Sequence, residues 1–145
     1  MGNCNLKADD SDSCEPISRS QFQFHYPIGK GGFGKVWKVT HKKTKQTMAL
    51  KQMLKARIQL KRSVHSVMNE RKLLAMLRHP LIINIVCAFQ DKENLYLALD
   101  HKLGGDLRYH LGKQRRFSEE QTKFFVVCLL LCLCLLYTSP SPRDS

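Results

Sequence analysis

Apolar and polar residues alternate from Phe22 onward in the manner of a β-strand. Phe22, Phe24, Tyr26 and Ile28 are separated by polar or small residues, and this period of two predicts a half-buried strand. Apolar runs bounded by turn residues predict further strands along the chain. These strands are expected at residues 36–39, 48–50, 82–89 and 95–99.

Helical spacing replaces the alternation in two other parts of the chain. Residues 63–77 place apolar side chains at helical intervals, and Pro80 prevents the helix from continuing. A short helix is expected from Asp106, and Ser118 forms with Gln121 the capping box of a longer helix. The order of elements predicts an α+β fold. In this fold a five-stranded antiparallel sheet with one helix precedes the first helices of a second, helical lobe.

Composition divides the chain into four segments. Residues 1–20 are polar and acidic, which predicts a disordered leader, residues 21–103 carry the sheet, and residues 104–133 begin the helical lobe. The apolar run 124–136 is shorter than the roughly 20 residues that a membrane-spanning helix needs, so we expect a buried core helix. Residues 134–145 resemble the translation of a common transposase sequencing adaptor, and we expect no evolved structure there. Natural truncation by splicing is the alternative.

Basic residues account for the net charge of +12, and their excess is greatest in residues 35–72, where Glu70 is the only acidic residue. A basic patch can bind an anionic membrane or nucleic acid. Trp37 is the only aromatic residue in this stretch, whereas single-stranded nucleic acid is bound on several stacking platforms. We therefore expect no nucleic-acid partner and interpret the patch as a solvated basic face.

The six cysteines indicate the redox setting. No pair of them has the spacing of metal ligands, so we expect no metal site. The N-terminus lacks the apolar segment of a secretory signal. A reducing, cytoplasmic setting is therefore expected.

Residues 29–36 read Gly-Lys-Gly-Gly-Phe-Gly-Lys-Val and fit the pattern G-x-G-x-x-G-x-V. Glycines let the backbone approach phosphate oxygens closely, and their N–H groups can face the negative charge. Dinucleotide-binding folds use the same spacing, but there a helix follows and an acidic residue lies about 20 residues further on. Here a strand follows, and the notable downstream residue is Lys51. This context favours a site for a nucleoside triphosphate over that of a nicotinamide-dependent oxidoreductase.

Lys51 lies in an apolar strand, where an unpaired charge is costly to bury. Glu70 lies in the middle of the predicted helix and is the nearest candidate partner. The pair would direct the ammonium group toward the α- and β-phosphates of a nucleotide. The alternative is a surface lysine and a solvated helix acid.

The order of these motifs resembles the N-lobe and hinge of a eukaryotic protein kinase. The glycine motif is followed by Lys51, Glu70, the sequence Arg78-His79-Pro80 and the hinge-like residues 97–106. Residues 103–111 resemble the AGC serine/threonine kinases, and most closely their serine/threonine kinase 32 branch. The resemblance implies a kinase N-lobe with its αC helix, ATP and Mg²⁺ as cofactors, and transfer of the γ-phosphoryl group to a protein serine or threonine near basic residues.

The resemblance also assigns roles to individual positions. Lys51 and Glu70 form the catalytic ion pair, Leu99 is the gatekeeper, and Asp100 meets adenine through its backbone. Lys102 does the same, while Asp106 meets the ribose and also a basic residue of the substrate. The implied ATP-binding residues are Gly29, Lys30, Gly31, Gly32, Phe33, Gly34, Val36, Ala49, Lys51, Leu99, Asp100, Lys102 and Asp106.

The family places its catalytic aspartate and its metal-binding residues after the helix that begins at Ser118. The sequence contains no His-Arg-Asp and no Asp-Phe-Gly motif, so we expect residues 1–145 to be inactive alone. The alternative is a non-catalytic pseudokinase or scaffold that binds nucleotide. The retained Lys51 and glycine-rich loop favour the enzyme.

The N-terminus, Met-Gly-Asn-Cys, resembles an acylation signal with Gly2 as the myristate site and Cys4 as the palmitate site. Two acyl chains are needed for stable anchoring to a membrane. Leu6 stands where a serine or threonine is usual. Membrane association through these residues and an inert leader both remain open.

Overall fold

The computed structural model of this protein describes residues 16–138. They form two compact units, which we call the sheet unit (residues up to 78, with 83–101) and the helical unit (79–82, with the residues from 102 on). The leader predicted over 1–20 is described only from residue 16, and Gly2 and Cys4 lie outside the described residues. Of the tail predicted over 134–145, residues 134–138 are helical.

The sheet unit contains a five-stranded antiparallel sheet in the order β1-β2-β3-β5-β4. This confirms the predicted sheet. Two register shifts interrupt the pairing of β1 with β2. The apolar residues of β1 are buried only near the start of the strand, since Tyr26 and Ile28 are exposed. The strands are β1 (Phe22–Lys30), β2 (Gly34–His41), β3 (Thr47–Leu54), β4 (Ile85–Gln90) and β5 (Asn94–Asp100).

Two helices accompany the sheet. The helix predicted at 63–77 is present as α2 (Val64–Met76). A shorter helix, α1 (Lys55–Leu60), follows β3 directly and was not predicted. It has fewer than two turns, so its apolar residues cannot establish a helical period. Ile58 on α1 is buried and joins Val67 of α2 in the core.

The core lies on both faces of the sheet because successive strand residues point to opposite sides. On one face Met48 and Leu50 of β3 pack with Val39 and Tyr96. On the other face Met53 packs with the buried residues of α1 and α2. We call the face with Met48 and Leu50 the outer face, and the face with Met53 the helix face. Ile17, which precedes the sheet, packs against the outer-face cluster.

A polar cluster holds the turn between β4 and β5. The Asp91 carboxylate accepts hydrogen bonds from the Asn94 N–H at 2.6 Å, the Glu93 N–H at 2.9 Å and the Tyr96 hydroxyl at 2.8 Å. Burial raises the pKa of Tyr96, and its bond to Asp91 raises it further, to about 12. Burial acts against the charge on Asp91, but these hydrogen bonds outweigh it and lower the pKa of that carboxyl.

The helical unit contains α3 (Leu107–Gln114) and α4 (Glu119–Thr138). The capping box predicted for α4 is confirmed, since the Gln121 N–H donates to Ser118 Oγ and the Ser118 N–H donates to Gln121 Oε1. The apolar side chains of α4 are largely exposed within the described part of the chain, unlike the predicted core helix. By length and composition this helix could span a membrane, although the core helix of a soluble protein meets the same criterion.

Candidate functional site

The glycine-rich loop joins β1 to β2 and is fastened to the end of β3. Within the loop the Gly31 N–H donates to the Gly34 carbonyl at 2.9 Å, and the Leu54 N–H donates to the Phe33 carbonyl at 3.1 Å. A Cβ atom on Gly34 would lie 1.9 Å from the carbonyl oxygen of Gln52, so only glycine permits this approach of two strands. Gly31 has open space around its Cα.

Lys51 and Glu70 form the ion pair that the sequence predicts. The Lys51 Nζ lies 2.5 Å from the Glu70 Oε1, and the two side chains are 24% and 38% exposed. Strand β3 supplies the lysine and α2 supplies the acid. The alternative of a surface lysine and a solvated acid is therefore wrong for this pair. Its role toward a nucleotide stays a prediction.

The sheet register places the apolar strand residues of the predicted nucleotide site on the face that carries Lys51. Val36 is directly opposite Lys51, and Ala49 is directly opposite Leu99. Directly opposite residues project to the same side of a sheet, and so do residues two apart on one strand. Gly29 on β1 is directly opposite Val36 and therefore lies beside the same face of the sheet. The helix face therefore offers an apolar surface with one paired cation.

Asp100 ends β5 and is directly opposite Met48, so its side chain belongs to the outer face. There the Asp100 carboxylate accepts a hydrogen bond from Asn84 Nδ2 at 3.1 Å. A nucleotide on the helix face would therefore meet the main chain of Asp100 rather than its carboxylate. This agrees with the backbone contact that the family resemblance implies.

Lys102 and Asp106 belong to the helical unit. Asp106 caps α3, because its Oδ1 accepts a hydrogen bond from the Tyr109 N–H at 2.7 Å. The side chains of both residues are exposed. Their contacts with adenine and ribose stay predictions.

Lys61 is a residue at the site that the sequence analysis missed. Its Nζ donates a hydrogen bond to the Gly32 carbonyl at 3.1 Å and lies 5.6 Å from the centre of the Phe33 ring. Lys61 directly follows α1, so this short helix places a cation at the tip of the glycine-rich loop. Without α1 in the prediction, no sequence signal could assign this contact.

These groups fit a nucleoside triphosphate. A paired cation can meet phosphates, an apolar sheet face can receive a base, and Gly34 brings the loop backbone close to β3. Among the residues that the structure describes, no three His, Cys, Asp or Glu side chains come together.

The comparisons with known proteins agree with this geometry. The model of the protein kinase domain family matches residues 22–140, and the chain belongs to this family. It is 42% identical over 123 residues to a probable serine/threonine-protein kinase of Dictyostelium discoideum, covering 85% of this chain and 27% of that protein. It is 39% identical over 119 residues to the serine/threonine-protein kinase sgk-1 of Caenorhabditis elegans, covering 81% of this chain and 26% of that protein.

A member of the predicted branch is also among the relatives. The chain is 37% identical over 132 residues to human serine/threonine-protein kinase 32B, covering 91% of this chain and 32% of that protein. The family and the similarity to the serine/threonine kinase 32 branch are therefore confirmed. The chain spans roughly a quarter to a third of the length of these relatives.

Proposed function

We propose that this chain is the ATP-binding portion of an AGC-type protein serine/threonine kinase. The whole enzyme would transfer the γ-phosphoryl group of ATP to a hydroxyl of a protein substrate that carries basic residues near it. The observation that carries the proposal is the Lys51–Glu70 ion pair on the sheet face that also presents Val36, Ala49 and Leu99.

Each part of the site has a distinct task in this proposal. The ammonium group of Lys51 binds the α- and β-phosphates, and Glu70 holds that ammonium in place. The N–H groups of the glycine-rich loop cover the phosphates. Val36 and Ala49 pack on the adenine ring. Mg²⁺, when bound, neutralises charge on the phosphates, and the family places its ligands after α4.

Calorimetric titration of the 145-residue chain with ATP tests this proposal. We expect the unmodified chain to bind ATP and Lys51→Met to weaken binding about tenfold, the effect of losing one charge-assisted hydrogen bond. Lys35→Met is the matched control, because Lys35 neighbours Val36 on β2 and its ammonium lies over the outer-face ring of Trp37. Equal affinity of Lys51→Met and the unmodified chain would contradict the proposal.

The catalytic state requires a separate assay. We propose that residues 1–145 show no phosphoryl transfer above background, because the sequence contains neither the His-Arg-Asp nor the Asp-Phe-Gly motif. Robust transfer that depends on Lys51 would contradict this.

A nucleotide-binding scaffold would give the same ATP titration. Activity of a longer protein that carries both motifs favours the enzyme, and inactivity of that protein favours the scaffold.

We also propose a cytoplasmic protein that associates with membranes through acylation of Gly2 and Cys4. The support is the Met-Gly-Asn-Cys sequence, whose two sites would supply the two chains that stable anchoring needs. Labelling of cells with an alkynyl myristate tests it. Incorporation is expected in the unmodified protein and should vanish in Gly2→Ala. Absence of label in the unmodified protein would contradict this proposal.

A further inference from the structure

Two successive carbonyl groups of the glycine-rich loop are bound by residues at the end of β3 and after α1. The Gly32 carbonyl accepts a hydrogen bond from Lys61 Nζ at 3.1 Å. The Phe33 carbonyl accepts one from the Leu54 N–H, also at 3.1 Å. The Lys61 ammonium lies 5.6 Å from the centre of the Phe33 ring as well, so a cation–π attraction supports the first bond. The tip of the loop is therefore held by two neighbouring contacts.

The main chain of Lys61 is itself fixed, so its side chain reaches the loop from a defined position. The Lys61 N–H donates to the Arg57 carbonyl at 3.1 Å, and the Lys61 carbonyl accepts from Ser63 Oγ at 2.9 Å. Helix α1 is anchored through the buried Ile58, and Phe33 packs against the same core cluster. Both partners of the contact therefore rest on one cluster, which reduces the conformational freedom that is lost when the bond forms.

The Lys61–Gly32 bond fixes the orientation of a peptide group at the loop tip. In a trans peptide the N–H points away from the carbonyl of the same group. Because the Gly32 carbonyl faces Lys61, the Phe33 N–H points away from that ammonium. The Leu54 bond acts in the same way on the next peptide group, which joins the Phe33 carbonyl to the Gly34 N–H. Two successive N–H groups are thus oriented by residues outside the loop.

We propose that Lys61 is a positioning residue for the triphosphate of a bound nucleotide. It acts through the loop: by holding the Gly32 carbonyl, it keeps the Phe33 N–H oriented to donate to a phosphate oxygen. Without this bond the peptide group can rotate and turn its carbonyl, which repels phosphate, toward the ligand. This inference rests on the proposed function, because it requires a nucleotide whose phosphates lie against the loop.

Amide hydrogen exchange, followed by NMR, tests the contact in the unliganded 145-residue chain. Lys61→Met removes the ammonium group and keeps an unbranched side chain. The Gly31 and Leu54 amides donate to loop carbonyls, and we expect them to exchange about threefold faster because the loop tip opens more often. Amides in the β3–β5 pairing should not change. The matched control is Lys113→Met, which removes an exposed ammonium 4.6 Å from the centre of the Tyr109 ring and should leave both amides unchanged.

NMR titrations with ATP and with adenosine test the consequence for a nucleotide. In Lys61→Met we expect ATP binding to weaken about threefold, the effect of one exposed hydrogen bond. Adenosine binding should be unchanged, because adenosine carries no phosphate, whereas a general loss of structure would weaken both ligands. Lys61→Arg keeps a cation and a donor, and should restore the exchange rates and the ATP affinity. Lys113→Met should bind both ligands as the unmodified chain does.

The outcomes distinguish this inference from the proposed function. Unchanged exchange of the Gly31 and Leu54 amides in Lys61→Met would overturn the role of Lys61, even if ATP binding weakened, because the ammonium would then act on the phosphates directly. Faster exchange with unchanged ATP affinity, or equal weakening of ATP and adenosine, would also overturn it. Each of these results leaves the proposed function intact. Failure of the unmodified chain to bind ATP would overturn both.

Discussion

The Lys51 ammonium on β3 lies 2.5 Å from the Glu70 carboxylate on α2, although the two residues are 19 positions apart in sequence. The bond ties the sheet to its main helix at the face where the nucleotide is proposed to bind. Both side chains are partly buried, so each would be costly to leave without its partner. The pair therefore links the position of α2 to the orientation of the cation.

Replacing Glu70 should affect the candidate site more than replacing an exposed acid. We expect Glu70→Gln to weaken ATP binding about threefold to tenfold, because Lys51 loses the charge that holds it. The matched control is Glu119→Gln on α4, where the Glu119–Lys123 pair is 81% and 72% exposed. Exposed pairs contribute little, so ATP binding should not change. Calorimetry measures both, and equal effects would contradict the prediction.

Two glycines of the same loop should respond differently to alanine. Gly34→Ala places a Cβ atom 1.9 Å from the Gln52 carbonyl oxygen, so β2 and β3 must separate locally. We expect a loss of about 2 kcal/mol in the free energy of unfolding, typical of overpacking. Gly31→Ala meets nothing within 4 Å and should stay within about 0.5 kcal/mol of the unmodified chain. Urea unfolding followed by Trp37 fluorescence compares them, and similar losses would argue against the close approach.

The sheet and the ion pair could be predicted from the sequence because their signals are local or strongly constrained. Alternation predicts β1, and apolar runs bounded by turn residues predict the other strands. A lysine in an apolar strand needs an acid, and residues 35–72 contain only Glu70. The Ser118–Gln121 capping box is likewise a pattern within one helical turn.

Other contacts at the site depend on register and could not be predicted. Lys61 reaches Gly32 only because α1 directly follows β3 and turns the chain. Asn84 reaches Asp100 only because β4 and β5 pair in one particular register. Polar residues that end strands have no period, so sequence alone does not reveal their partners. The exposure of α4 also depends on packing that its apolar sequence does not specify.

The hydroxyl of Tyr96 should contribute to stability through the turn between β4 and β5. It donates to the Asp91 carboxylate at 2.8 Å, and Tyr96 is almost fully buried. We expect Tyr96→Phe to lower the free energy of unfolding by about 1 kcal/mol, the usual net value of one hydrogen bond. Tyr26→Phe is the control, because Tyr26 is exposed and its hydroxyl only accepts a long bond from Lys38. Equal urea midpoints for the two variants would contradict the prediction.

The turn after β2 should make the stability of the fold depend on pH through His41. Burial lowers the pKa of His41 below 6.5, and the nearby Lys43 lowers it further. The neutral ring accepts a hydrogen bond from the Thr44 N–H at its Nδ1, at 3.2 Å. The unfolded chain therefore binds a proton at His41 more readily than the folded chain does.

This difference fixes the sign of the effect. The contribution of His41 to stability is fully present above pH 6.5, the unfolded value, and is lost as the pH falls from there through the lower folded pKa. His41→Gln cannot titrate, so the change in urea midpoint between about pH 8 and about pH 5.5 should be smaller in His41→Gln than in the unmodified chain. Other titrating groups contribute equally to both proteins, so the difference between their slopes isolates His41. Parallel pH profiles would show that His41 titrates alike in the folded and unfolded states.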